Sequence, residues 1–235
     1  MYHAGLEAPA VGHYDRAVAL LSVSGACSRA GKTALAVSFL RGVTRGEAAA
    51  VKFTTTEDVF ERCPRGTPCV VCDIDVPYRI VTDPAVLGQA GTDTARLAET
   101  GAVPVVWAIA RAAAVAPAWS AVRRRLGACP LVVMEGSTIT RLARPDLHLF
   151  VVHPFLSPER WKPGSAELIA SCDAVVVNVP AAEPRAPSAA VMAEVARHRG
   201  DGIVLVGDVT RPIAEWAPRL AARVESLRAT PALRA

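Results

Sequence analysis

The sequence predicts an α/β fold of three layers, a mainly parallel sheet with helices on both faces, and three observations carry that expectation. Short apolar, β-branched runs recur along the chain with helix-length segments between them, the pattern of strands buried on both faces and joined by crossover helices. A hydrophobic fraction of 51% over 235 residues suffices for one sizeable core, so a single domain over 1–235 is expected. The first apolar run, Ala17–Val23, breaks at Ser24-Gly25 into a short polar loop that passes through Gly31-Lys32-Thr33 into an apolar segment free of breakers up to Gly42.

That stretch reads strand, loop, helix, and its chemistry is that of a phosphate loop. Backbone N–H groups at a helix N-terminus wrap phosphates, a lysine reaches their oxygens, and the next hydroxyl takes one Mg²⁺ position. Gly25, Ala26, Cys27, Ser28, Arg29, Ala30, Gly31, Lys32 and Thr33 are therefore the expected nucleotide-binding residues, and the fold expected is that of P-loop NTPases. Ala26 stands where the pattern G-x-x-x-x-G-K-[ST] has its first glycine, with Gly25 one residue early; alanine fits there if its φ stays negative. A lipoprotein signal ending at Cys27 is rejected, because Ser24 is wrong at the third position before it and Gly31-Lys32-Thr33 would be unexplained.

The remaining elements follow in order. Residues 1–15 lack periodicity and read as a loose arm. A second buried strand, Ala48–Thr55, carries Lys52 and runs into the hydroxyls of Thr54, Thr55 and Thr56. Residues 61–84 read as an irregular insertion rich in Pro and Gly, with three cysteines. A helix is expected from Thr92 to Gly101, with Asp93 in a first turn that favours negative charge. Strands are expected at Pro104–Ile109, Pro130–Met134, Leu147–His153, Ala174–Val179 and Ile203–Gly207, and helices at Pro117–Leu126, Ser165–Ala170, Ser188–Arg199 and Ile213–Leu227.

Candidate functional residues lie at strand ends, where open α/β sheets bind ligands. Lysine in a buried strand is costly unless it meets an anion, so Lys52 is assigned to phosphate or substrate. LVVMEGS, Leu131–Ser137, is an apolar strand ending in a carboxylate, and Glu135 is expected to hold Mg²⁺ through water or to orient the attacking group; Asp73 and Asp75, after a similar apolar run, compete for the metal. Asn178, ending AVVVNVP, has an amide suited to a nucleotide base, although the Asn-Lys-x-Asp pattern that reads guanine is absent. Cys63, Cys69 and Cys72 form C-x₅-C-x₂-C, which could hold Zn²⁺ or an iron–sulfur cluster with Cys27 as a fourth ligand, provided that the segment is a loop; on a regular strand Cys69 and Cys72 would face apart. Cys129 and Cys172 are expected to be buried packing residues.

The charge balance narrows the partners. Net charge is +4, and of 26 basic residues only Lys32, Lys52 and Lys162 are lysine. Lysine is a compact point charge suited to phosphate oxygens in a tight loop. Arg123-Arg124-Arg125 has no aromatic or second basic cluster beside it, so no nucleic-acid partner is expected. The longest apolar candidate, Ala102–Trp119, contains Pro104, Arg111 and Pro117 and falls short of the ~18 clean residues of a membrane span. No membrane partner is expected, and with no signal peptide a cytoplasmic location is.

The order GACSRAGKT, VKFTTTED, GQAGTDTARLAETGA, LVVMEG resembles the molybdopterin-guanine dinucleotide biosynthesis accessory proteins, P-loop GTP-binding proteins that dimerise, over Ala17–Gly136. The resemblance implies Gly31, Lys32 and Thr33 for phosphate and Mg²⁺, Lys52 and Asp93 in the active site, Glu135 for the metal or water, and a homodimer. The chain departs from that family in having Phe53-Thr54-Thr55-Thr56 where a histidine-rich segment belongs, and in the cysteine-bearing insertion. Its AVVVNVP strand is more similar to dethiobiotin synthetase.

Three functions are therefore in view. The first is a Mg²⁺-dependent NTPase or small-molecule kinase that binds ATP or GTP and acts on a cofactor precursor, with Lys32, Lys52, Asp93 and Glu135 as its catalytic group. The second is a nucleotide-gated metal or iron–sulfur carrier using Cys63, Cys69 and Cys72. The third is a non-catalytic nucleotide-binding regulatory module.

Overall fold

A computed structural model of the chain describes residues 19–44, 47–56, 74–126, 129–183 and 185–229. Their strands form one eight-stranded sheet: β1 Ala19–Gly25, β2 Ala48–Thr55, β3 Tyr78–Val81, β4 Val105–Ala110, β5 Leu131–Glu135, β6 Leu147–Val152, β7 Ala174–Asn178 and β8 Ile203–Gly207, in the spatial order β3-β4-β2-β5-β1-β6-β7-β8. All neighbours are parallel except β3, which lies antiparallel on β4. From β1 the chain crosses to β2 on one side, whereas from β5 it crosses to β6 on the other. Connections leaving in opposite directions open a crevice at the C-terminal ends of β1 and β5.

Strand alternation then builds two helical layers. On one face, Leu21 and Val23 of β1 pack with Leu35 and Phe39 of α1 (Lys32–Phe39), Leu97 of α3 (Asp93–Ala98), Ile213 of α8 (Ile213–Trp216) and Val224 of α9 (Pro218–Ala229). On the other, α4 (Val115–Leu126) covers β2, β4 and β5 through Trp119 and Val122, while α6 (Ser165–Ser171) and α7 (Ala189–Arg199) cover β6 and β7 through Ile169, Val191 and Val195. Two short helices, α2 (Pro84–Leu87) and α5 (Thr140–Ala143), complete the α set among the described residues.

Between the α4 and α6/α7 clusters runs a buried polar seam. Ser22 and Ser24 face it from β1 and His148 from β6. Ser22 Oγ lies 2.9 Å from Thr140 Oγ1 and Ser24 Oγ 2.6 Å from His148 Nε2. Burial pulls His148 down to about 4, against the opposing charge of Asp173, so near neutral pH its ring is uncharged and the seam holds paired neutral groups.

Four expectations change. The run 61–84 is not wholly irregular, because Tyr78–Val81 adds an edge strand whose four residues, set between Pro77 and Pro84, are too few to show a period. The last helix is two, since Pro218 drives Ala217 out of helical backbone to φ −139, ψ 60 and separates α8 from α9. Cys129 is half-buried rather than buried, with its thiol 3.2 Å from the Leu131 carbonyl; Cys172 is buried as expected. Strand β1 also runs two residues later than expected, through Ser24 and Gly25, because both serines are satisfied in the seam.

Candidate functional site

The loop Gly25–Thr33 joins β1 to α1 at the crevice. Two glycines are needed in it for different reasons. Gly31 caps α1 with φ 110, and a Cβ there would stand 2.5 Å from Asn178 Nδ2. Gly25 allows close approach, since its Cβ would meet the Val151 carbonyl at 2.7 Å and the Lys32 stem at 3.0 Å. Ala26 is fully buried, its N–H donates to the Val151 carbonyl at 3.0 Å, and its φ is not positive, so alanine stands at the missing-glycine position without strain. Arg29, by contrast, is held at φ 60.

Lys32 folds back over its loop and donates to the Cys27 carbonyl at 2.6 Å. Burial lowers its pKa, Glu135 opposes that shift, and Lys52 and Lys162 add to it. A desolvated ammonium of this kind gains from an incoming anion. Cys27 itself is buried, and desolvation holds its thiol above the ordinary range.

At the other end of the motif, Thr33 Oγ1 donates to Glu135 Oε2 at 2.8 Å, and Lys52 Nζ donates to Glu135 Oε1 at 2.6 Å and to Asp93 Oδ2 at 2.7 Å. Sheet order makes this possible: β2 pairs with β5 in a register that sets Lys52 beside Glu135, and β5 pairs with β1 so that Val23 stands beside Glu135. Asp93 arrives at the start of α3, where the Thr92 side chain accepts from the Ala95 N–H at 3.2 Å. The Glu135 side chain is 2% exposed and that of Asp93 47%, so the network grades from interior to solvent. Burial lowers the Lys52 pKa, but Glu135 and Asp93 outweigh it and the ammonium is held above its ordinary range. Burial raises Asp93, but Lys52 outweighs it and the carboxyl is held below its ordinary range. The Thr33 hydroxyl and two carboxylates are hard oxygen donors of the kind Mg²⁺ takes, usually with retained waters, and this donor set fits that ion.

Asn178, at the end of β7, is built into the loop. Its Nδ2 donates to the Ala30 carbonyl at 3.1 Å and its Oδ1 accepts from the Val209 N–H at 3.3 Å, so the side chain braces the loop from behind Gly31. Thr54 and Thr55 are also engaged, Thr54 by the Trp107 indole at 3.0 Å and Thr55 by Thr138 at 2.8 Å. Ser28 and Arg29 are exposed on the loop. Asp75 lies apart, on an exposed turn before β3 with its carboxylate 3.9 Å from Arg79. Asp73, Cys63, Cys69 and Cys72 fall outside the described residues.

Sequence reading passed over Lys162, which lies on the segment after β6. Its N–H donates to the Ala26 carbonyl at 2.7 Å, and its charge is felt by Lys32 and Cys27. All three lysines of an arginine-rich chain thus gather round one loop. Their rarity was the signal available in the sequence.

No protein-family model matches the chain, and no curated protein matches its sequence. Among solved structures, the crystal structure of HypB from Helicobacter pylori in complex with nickel is similar to it, with a TM-score of 0.51 and 9% identity over 91% of this chain and 88% of that one. Identity this low speaks for the fold alone, and together with the phosphate-loop geometry it identifies the architecture as the P-loop NTPase fold.

Proposed function

We propose that the chain binds a nucleoside triphosphate with Mg²⁺ and hydrolyses it, or transfers its terminal phosphoryl group to a small molecule in cofactor biosynthesis. The observation that carries this reading is the convergence of Thr33, Lys52, Asp93 and Glu135 beside the loop bearing Lys32. Phosphate oxygens replace the Cys27 carbonyl as the partner of Lys32, exchanging a neutral acceptor for a charge-assisted one. Mg²⁺, when bound, neutralises charge on the phosphates; Thr33, Glu135 and Asp93 would hold it. Glu135, nearly out of solvent and paired with Lys52 at 2.6 Å, would orient an attacking group. Lys52 is placed to follow charge that moves from the carboxylates toward the phosphates.

The resemblance to molybdopterin-guanine dinucleotide biosynthesis accessory proteins supports this class and suggests a homodimer, which light scattering would test. The cysteine segment supports a second reading, a nucleotide-gated metal carrier, which metal analysis decides. Among the described residues no helix is long and apolar enough to cross a membrane. The deciding experiment for the main reading is titration of the full chain with Mg²⁺-ATP and Mg²⁺-GTP, with phosphate release followed alongside. Lys32→Ala should weaken binding by ~2 kcal/mol or more, about thirtyfold. Equal affinity of wild type and variant for both nucleotides would refute it.

A further inference from the structure

Where the polar seam reaches the C-terminal edge of the sheet, a cavity of about 520 Å³ opens between the segment after β5 and the segment after β6. Gly25, Ser137, Arg141, Lys162 and Ser165 line it. It shares Gly25 with the phosphate loop, and a Cβ there would touch the Lys32 stem. The two regions are also tied through the backbone: Lys162 N–H bonds the Ala26 carbonyl at 2.7 Å, and Gly25 N–H reaches Ser137 Oγ at 3.4 Å.

The lining is rich in cations and hydroxyls. Among the described lining residues the acid is Glu167, whose carboxylate lies 3.6 Å from Arg141 in a pair with both side chains largely exposed. Such a pair is weak and exchanges readily, which leaves the guanidinium available to a ligand anion. Lys162 is held in place by its own backbone: its carbonyl accepts from Ser165 Oγ at 2.7 Å and from the Ser165 N–H at 3.1 Å. A volume of this size suits a small molecule rather than a macromolecule.

We infer that this cavity is a second-substrate subsite for a small molecule bearing a carboxylate or phosphate, held by Lys162 and Arg141 beside the phosphate loop. The inference rests on the nucleotide reading above and adds the chemical class of the other substrate. The anion docks on the two cations while hydroxyls of Ser137 and Ser165 meet polar groups on the same molecule, which leaves its far end directed along the wall shared with Gly25.

The test uses the full chain saturated with Mg²⁺ and a non-hydrolysable ATP or GTP analogue, so that the phosphate loop is filled. Succinate and glycerol 3-phosphate serve as carboxylate and phosphate probes in calorimetric titrations. Saturable binding of one probe below 10 mM is expected, weakened at least tenfold by Lys162→Gln and by Arg141→Gln, and within threefold of wild type in Lys162→Arg; thermal melting checks that each variant is folded. Which probe binds separates a carboxylate from a phosphate ligand. No saturable binding of either probe, binding indifferent to both Gln variants, or loss of nucleotide affinity as large as the loss of probe affinity overturns the subsite. Failure of wild type to bind the analogue, observed before any probe is added, is instead the failure of the nucleotide reading and takes the second-substrate role with it.

Discussion

The Thr33 hydroxyl donates to Glu135 at 2.8 Å across a sequence separation of 102 residues, joining the end of the phosphate-loop motif to the end of β5. The same carboxylate takes Lys52 on its other oxygen, so one buried acid links three elements. Removing its charge should therefore spare the loop and damage turnover.

Glu135→Gln keeps the shape of the side chain and leaves Lys32 in place for the proposed phosphate contacts, so nucleotide affinity should change little while turnover falls by ~10²-fold or more. Steady-state phosphate release beside equilibrium nucleotide titration reads the two effects separately. Unchanged turnover would remove Glu135 from the proposed catalytic group.

Lys52 supplies the counter-charge to a carboxylate that is 2% exposed. Lys52→Met alone should destabilise the protein by ~3 kcal/mol, because it leaves that charge buried and unpaired. Pairing it with Glu135→Gln should restore much of the loss, and a double-mutant cycle from urea unfolding measures the coupling. Additive losses would show that the ion pair does not hold this end of the sheet together.

Gly31 and Asn178 fit each other closely. Gly31→Ala must place a Cβ at φ 110 and 2.5 Å from Asn178 Nδ2, so a cost of ~1–3 kcal/mol is expected, together with loss of nucleotide binding as the loop shifts. Adding Asn178→Ala relieves the contact but not the φ, so recovery should be partial. Thermal unfolding of the two variants gives both numbers.

His148 makes stability depend on pH. Its pKa is about 4 in the folded protein against 6.5 for the free group, so between these values the unfolded chain binds more protons. Stability is therefore lost as pH falls from 6.5 toward 4, by on the order of 3 kcal/mol from this group. In His148→Gln, which can still pair with Ser24, urea midpoints measured across that window should decline less steeply than in wild type. Parallel curves would mean that His148 is not buried as a neutral ring.

The cysteine reading has a direct measurement. If Cys63, Cys69 and Cys72 hold a metal, anaerobically purified protein should carry stoichiometric zinc or iron that is lost when all three are changed to serine. Metal-free wild-type protein that still hydrolyses nucleotide would eliminate the carrier.

What the sequence determined by itself was local. Continuous apolar runs located the long strands, and β2 and β8 fall within the expected bounds, because a strand buried on both faces is written in consecutive residues. Gly31-Lys32-Thr33 marked the loop, because the need for a left-handed residue, a point charge and a hydroxyl is met within three positions. The short strand β3 and the break at Ala217 escaped notice, the first for want of length and the second because Pro218 also suits the first turn of a helix. Tertiary structure alone decided which residues meet. The family resemblance grouped Lys52, Asp93 and Glu135, but their contacts come from the order β2-β5-β1, which sets the first and last side by side and brings α3 against them. Asn178, read as a base contact, braces the loop at Ala30 and Val209, and Lys162 joins the other two lysines only because β6 pairs with β1. Strand order is a non-local choice that depends on how crossovers pack over the whole sheet, and no periodicity within a segment records it.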